Sequence, residues 1–167
     1  VLDHPVAQEI FKRLKHADIF EIERYQEMFN RRKQNFRIQK QNPALILAKK
    51  HDNFVLPAPS GFGIDAQKNY YFSHMYNCIY DCRYCFLQGM YNSGNLVLFV
   101  NENDFMSSIQ KKLISLKTSS DPMIVAISYN TDIMAMENIL PLTARWIEFA
   151  KSMKGLIIEI RTKSALF

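Results

Sequence analysis

Outside the eight residues from Cys78 to Cys85 this chain has no cysteine. Its three thiols, Cys78, Cys82 and Cys85, fall within "CIYDCRYC". An odd number at such short spacing cannot close a disulfide framework and suits a reducing compartment in which thiolates bind metal. No apolar run approaches the roughly 20 residues that a membrane-spanning helix needs. The opening "VLDHPVAQEI" lacks the basic start and apolar stretch of a secretory signal. There is no internal repeat and no low-complexity tract. These absences point to a cytoplasmic protein with no membrane partner.

What is present fits one folded unit with a real core: 167 residues, 48% hydrophobic and 13% aromatic. The net charge of +5 is uneven. Residues 31–50 contain Arg31, Arg32, Lys33, Arg37, Lys40, Lys49 and Lys50 and no acid, so the remainder is net acidic. A basic stripe with Phe36 among its charges can track a phosphate backbone, which makes DNA a candidate partner; a solvated lysine-rich surface is the alternative.

The hydrophobic pattern divides the chain at about residue 60. Residues 1–60 read as an N-terminal extension holding the basic segment, with a helix over about 5–16 that starts at Pro5 and aligns Val6, Ile10, Phe11 and Leu14. Within the extension "ALILAKK" reads as a strand and "LPAPSGFG" as a loop. From residue 68 the order is regular. "NYYFSHMY" reads as a strand that runs into the cysteine loop, and "NLVLFVN" as a second short strand or an extended packing segment. "NDFMSSIQKKLISLK" is helical with Phe105, Ile109, Leu113 and Leu116 on one face and Asn101 or Asn103 as its cap. "MIVAISY" is a run buried on both faces, "LTARWIEFAKSMK" a helix with Leu142, Trp146, Phe149 and Met153 inward, and "GLIIEIRTK" another buried strand. Strands alternating with helices specify an α/β fold of successive βαβ units over residues 61–167. The sequence stops directly after the third such strand, so the chain is expected to be the N-terminal part of a longer protein.

Three clustered thiolates bind a soft metal or an iron–sulfur cluster, and ligand count separates the two. A structural zinc wants four ligands, and His74 would supply the fourth in H-x3-C-x3-C-x2-C. That reading gives a zinc-stabilised nucleic-acid-binding module. A [4Fe-4S] cluster held by three thiolates keeps one iron open to an outside ligand, and that open iron is a place for chemistry.

The segment C-x3-C-x-aromatic-C, with Tyr84 as the aromatic, is similar to the signature of the radical S-adenosylmethionine (SAM) superfamily. "CIYDCRYCFLQGMY", "LVLFVN", "SYNTD" and "RTKS" in that order resemble the spore photoproduct lyase family over about residues 45–167. The resemblance implies a partial (β/α)6 TIM-type barrel, of which this chain supplies the first three strands behind its helical and basic extension. It implies a [4Fe-4S] cluster on Cys78, Cys82 and Cys85, and SAM contacted by Tyr84, Thr131, Asp132 and Lys163. It implies reductive cleavage of SAM to a 5′-deoxyadenosyl radical, a flavodoxin- or ferredoxin-type electron donor, and possible repair of a thymine lesion in DNA. A carboxylate, a hydroxyl and an ammonium at the ends of adjacent parallel strands would face one crevice.

Two positions depart from the family. Its hydrogen-donor cysteine is replaced by Tyr129, and the tyrosine after the third cluster cysteine is replaced by Phe86, which has no O–H. Tyr84 and Tyr129 are the tyrosines to which catalytic roles fall. The departures keep open a radical SAM enzyme whose substrate is not DNA. Glu137 is a candidate for the SAM amino group or a helix-start carboxylate facing water. His4, His16 and His51 have no partner at ligand spacing.

Overall fold

A computed structural model describes residues 1–63, 68–116 and 121–166. Two small sheets share one core. The first has the order β1-β5-β4, where β1 is Leu45–Ala48, β4 is Met75–Tyr76 and β5 is Leu96–Phe99. The second has the order β2-β3-β6-β7, with β2 at Leu56–Pro57, β3 at Asn69–Tyr71, β6 at Met123–Ala126 and β7 at Leu156–Glu159. Strands β3, β6 and β7 run parallel and adjacent. The connections between them carry α4 (Glu102–Ser115) and α5 (Leu142–Lys151), which gives the βαβ order read from the sequence. Among the described residues the sheets are open and no barrel closes.

Strands β5 and β6 are buried at every position, as expected of continuous apolar runs covered on both faces. Phe105 and Ile109 of α4 and Leu142 and Trp146 of α5 are buried, and Leu113, Leu116, Phe149 and Met153 pack against them at the edge of the core. Lys117, at the end of the helical segment, lies outside the described residues.

Several expectations change. "NYYFSHMY" is two strands, not one: β3 pairs with β6, and the chain then crosses at Phe72–His74 so that β4 pairs antiparallel with β5. Ser73 makes an isolated bridge to Ser128 at the crossing, which stitches the two sheets together. Of the two readings of "NLVLFVN" the short strand holds: β5 runs parallel to β1 in the register Leu45–Leu96 through Ala48–Phe99. Helix α1 is shorter than its apolar pattern, Pro5–Arg13, because Leu14 leaves helical geometry. His4, given no role from sequence, is its N-cap, with Nδ1 accepting from the Val6 N–H at 3.3 Å.

Residues 1–60 join the same core as the rest. Val6, Ala7 and Ile10 of α1 are buried in the cluster that holds Phe105 and Trp146. Arg145 of α5 donates to both carboxylate oxygens of Glu102, at 3.0 and 3.2 Å, and also pairs with Glu9 of α1. Asn101 stands before α4 without capping it. Its amide instead takes the Lys50 N–H at 2.9 Å and donates to the Lys50 carbonyl at 2.8 Å, clipping the chain after β1 to the start of the helix.

Candidate active site

The cysteine loop begins at Asn77, whose φ of 67° lies in the left-handed region that asparagine tolerates better than most residues. Its side chain is fully engaged. Oδ1 accepts the Cys78 N–H at 2.9 Å, while Nδ2 donates to the carbonyls of Ser93 (2.5 Å) and Asn95 (2.9 Å). The loop is thereby tied to the turn before β5. It ends in a one-turn helix, α3 (Leu87–Met90), and Gln88 Nε2 holds Asp81 Oδ1 at 2.9 Å across the loop.

Cys78, Cys82 and Cys85 are unpaired and line a single cavity of about 500 Å³ at the C-terminal ends of β4, β6 and β7. Cys78 is buried and the other two are half-buried. Burial, with the Asp132 charge adding to it, holds the Cys78 thiol above its ordinary pKa, while the backbone N–H groups of Tyr80 and Asp132 and the Lys40 ammonium offset this in part. Among the described residues, no three His, Cys, Asp or Glu side chains are gathered closely enough to hold a metal ion. The donor chemistry fits a thiolate-bound group all the same, because three free thiols from one loop open on one cavity.

The opposite wall comes from the loops after β6 and β7. Asp132 is buried, and both carboxylate oxygens are taken by the chain itself. Oδ1 accepts from Thr162 Oγ1 at 2.7 Å and from the Ala135 N–H at 3.3 Å; Oδ2 accepts the Lys163 N–H at 2.6 Å. Thr131 beside it is buried and lines the cavity. Lys163 extends its ammonium over the Tyr84 ring, 5.6 Å from the centroid, and Tyr84 is 78% exposed at the mouth. Thus the structure brings together all seven expected site residues outside Tyr129, and Tyr129 lines the cavity too.

Tyr129 belongs to an aromatic wall. It stacks on Tyr71 at 4.1 Å, meets Phe62 at 5.8 Å and faces Phe86 at 6.2 Å. Phe62 has no signal in the sequence beyond its place in a glycine-rich loop. Lys40 reads in the sequence only as one charge of the basic stripe, yet it lies on the cavity wall.

Two candidates take other places. His74, the fourth ligand of the zinc reading, is fully buried in the core. Its Nδ1 accepts from the Trp146 indole N–H at 3.0 Å, so the other nitrogen, Nε2, carries the proton and donates to the Phe99 carbonyl at 2.9 Å. Burial, the dominant cause, pulls its pKa down to about 4. With both nitrogens engaged, His74 is a structural histidine and the zinc site loses its fourth ligand. Glu137 accepts the N–H groups of Thr143 (2.9 Å) and Ala144 (3.1 Å), satisfying orphan donors at the start of α5.

The basic segment also divides. Arg31, Arg32, Lys33, Arg37 and Lys49 are exposed. Lys50 is turned inward: its ammonium donates to the Tyr76 hydroxyl at 3.0 Å and lies 4.9 Å from the Phe99 centroid, and burial lowers its pKa. No helix among the described residues is long and apolar enough to cross a membrane.

No family model matches the chain, and no curated protein matches it in sequence. Solved structures do match in fold. A cysteine-to-alanine variant of spore photoproduct lyase with dinucleoside spore photoproduct superposes with a TM-score of 0.71 at 17% identity, covering 97% of this chain and 46% of that one. A tyrosine-to-phenylalanine variant of that lyase gives 0.71 at 16% identity, over 97% and 47% of the two chains. A double variant with bound AdoMet and dinucleoside spore photoproduct gives 0.66 at 15% identity, over 94% and 45%. The likeness shows a shared mixed α/β fold with parallel strands. The chain spans about half the length of these structures.

Proposed function

We propose that this chain carries the cofactor-binding half of a radical SAM enzyme of the spore photoproduct lyase type, its strands β3, β6 and β7 being the first three of a partial (β/α)6 barrel. One observation carries the reading. Three unpaired thiols from one loop share a single cavity with Thr131, Asp132 and Lys163 from the ends of two adjacent parallel strands. Cys78, Cys82 and Cys85 would hold a [4Fe-4S] cluster, which, once reduced by a flavodoxin- or ferredoxin-type donor, supplies the electron that cleaves SAM.

The residues around it have separable tasks. Lys163 offers a cation for the SAM carboxylate, and Tyr84 covers the mouth beside it. Asp132 acts through the chain: by fixing Thr162 and the Lys163 backbone it aligns the β7 loop with the β6 loop. Thr131 places a hydroxyl on the same wall. Preorganised charge and donors of this kind bind and orient a cofactor whose chemistry is its own. The exposed part of segment 31–50 would contact DNA phosphates in a cytoplasmic repair enzyme.

A second reading concerns the substrate. Phe86 and Tyr129 meet on the cavity wall at the two positions where the family's lyase differs, and this favours a radical SAM enzyme whose substrate is not a DNA lesion. The shared part of the proposal is tested by incubating anaerobically reconstituted protein with SAM and dithionite. Formation of 5′-deoxyadenosine, lost in Lys163→Ala at limiting SAM and restored at high SAM, supports it. No 5′-deoxyadenosine from iron-loaded protein overturns it.

A further inference from the structure

Lys40, like Lys50, points the wrong way for a phosphate contact. It sits in α2 (Phe36–Gln41), and its ammonium donates to the carbonyl of Cys78 at 2.5 Å and to that of Tyr80 at 3.2 Å. Those two carbonyls bracket the first residues of the cysteine loop. A cation bridging two main-chain carbonyls makes charge-assisted hydrogen bonds, about twice as strong as neutral ones. Such a clamp fixes the path of the backbone from Cys78 to Tyr80.

The helix that delivers Lys40 is itself tightly seated. Gln39 Oε1 accepts the Gly94 N–H at 2.8 Å and the Ser93 hydroxyl at 3.2 Å. A Cβ on Gly94 would stand 2.6 Å from the Lys40 backbone nitrogen and 2.7 Å from Gln39 Cβ, so only glycine allows this approach. The same turn receives Asn77 through the carbonyls of Ser93 and Asn95. The 93–95 turn is therefore a common anchor for α2 and for the start of the cysteine loop. Lys40 closes the triangle between them.

We infer that Lys40 is a positioning residue of the cofactor site: from outside the cysteine motif it clamps the Cys78–Tyr80 backbone and sets a fixed positive charge beside the thiolates. The inference rests on the proposed function for what the thiolates hold, but the clamp belongs to the chain alone. Its charge offsets the negative charge of the thiolates, and favours any added electron on a group they bind.

The test has two arms. In the metal-free protein, backbone hydrogen–deuterium exchange of peptides covering residues 78–86 is compared for the unmodified chain, Lys40→Met, Lys40→Arg and Arg37→Met, an exposed neighbour on the same helix. Lys40→Met should exchange at least about tenfold faster there, Lys40→Arg should recover most of the protection, and Arg37→Met should match the unmodified chain. In the iron-loaded protein, Lys40→Met should shift the midpoint potential to a more negative value and Lys40→Arg should not. If Lys40→Met does not fold, Lys40→Gln decides: faster exchange over residues 78–86 supports the clamp, and unchanged protection overturns it. Unchanged exchange in a folded Lys40→Met overturns the inference whatever metal the protein binds. Failure of the unmodified chain to take up iron overturns the proposed function and leaves the exchange arm to judge the clamp.

Discussion

Phe86 and Tyr129 face each other across 6.2 Å on the cavity wall, one entering from the end of the cysteine loop and the other from the loop after β6. Neither side chain repeats the hydrogen-transfer group that the family resemblance implies at its position. Protein loaded with its cluster and given dinucleoside spore photoproduct is therefore expected to form 5′-deoxyadenosine with little repaired thymine. Phe86→Tyr combined with Tyr129→Cys should raise thymine by about tenfold or more. Removing the Tyr129 ring also deletes its stack on Tyr71, at about 0.5–1.5 kcal/mol for such a pair, so the double variant should melt at a lower temperature. Chromatography of both products in the two proteins checks this; thymine absent from both, with 5′-deoxyadenosine formed, assigns a different substrate.

The buried histidine predicts a pH dependence of stability. The folded pKa of His74 is about 4, below the ordinary 6.5, so the unfolded chain binds the proton more readily. Above pH 6.5 both states are neutral and the full stability is present. As pH falls from 6.5 towards 4 the unfolded state gains protons, and stability drops by up to about 3 kcal/mol before levelling off. Urea unfolding at pH 7, 5.5 and 4.5 should show this loss. Trp146→Phe, which strips the indole donor from Nδ1, should cost about 1–3 kcal/mol at pH 7.

Asp132 joins the ends of β6 and β7, and its carboxylate is buried. Asp132→Ala leaves the Thr162 hydroxyl and the Lys163 N–H without their acceptor; both residues are exposed and water can replace it, so the loss is about 0.5–1.5 kcal/mol for each hydrogen bond. A drop of several degrees in melting temperature is expected, with SAM affinity by calorimetry reduced at least about tenfold. Unchanged SAM affinity in a destabilised Asp132→Ala would limit the residue to a structural brace.

For nucleic acid, the division of the basic segment gives a contrast within one stripe. Neutralising Arg31, Arg32 and Lys33 should reduce the slope of log affinity against log salt for duplex DNA by about 0.9 for each phosphate no longer neutralised. Lys50→Met should leave that slope unchanged, because the Lys50 ammonium is engaged with Tyr76 and Phe99. Equal slopes for the unmodified protein and the triple variant would return residues 31–33 to an ordinary solvated surface.

The parts of this molecule legible in the sequence are those with a local cause. The apolar run at 123–126 and the helical faces of Phe105 and Trp146 report burial directly, whereas the run at 156–159 does not: only Leu156 of β7 is buried and Ile157 is exposed, against the expectation of a buried strand, because β7 stands at the edge of its sheet. The cysteines, Asp132 and Lys163 are legible because they stand at strand ends that a βαβ order brings to one side. The break in "NYYFSHMY" is not: its aromatic composition suits one strand, and only the demand of β5 for a partner bends it at Ser73. His74 looks like a ligand by spacing, but its partners, Trp146 and Phe99, are 72 and 25 residues away in the chain. Lys40 is hidden for the same reason, since nothing near it in sequence marks the Cys78 carbonyl as its acceptor.

The central claim, that Cys78, Cys82 and Cys85 hold an iron–sulfur cluster, is tested most directly by metal analysis of protein reconstituted with iron and sulfide in the absence of oxygen. About four irons and four sulfides per chain are expected, with a brown colour, and Cys82→Ala should abolish both. One zinc per chain with no uptake of iron, in unmodified and Cys82→Ala protein alike, would contradict it.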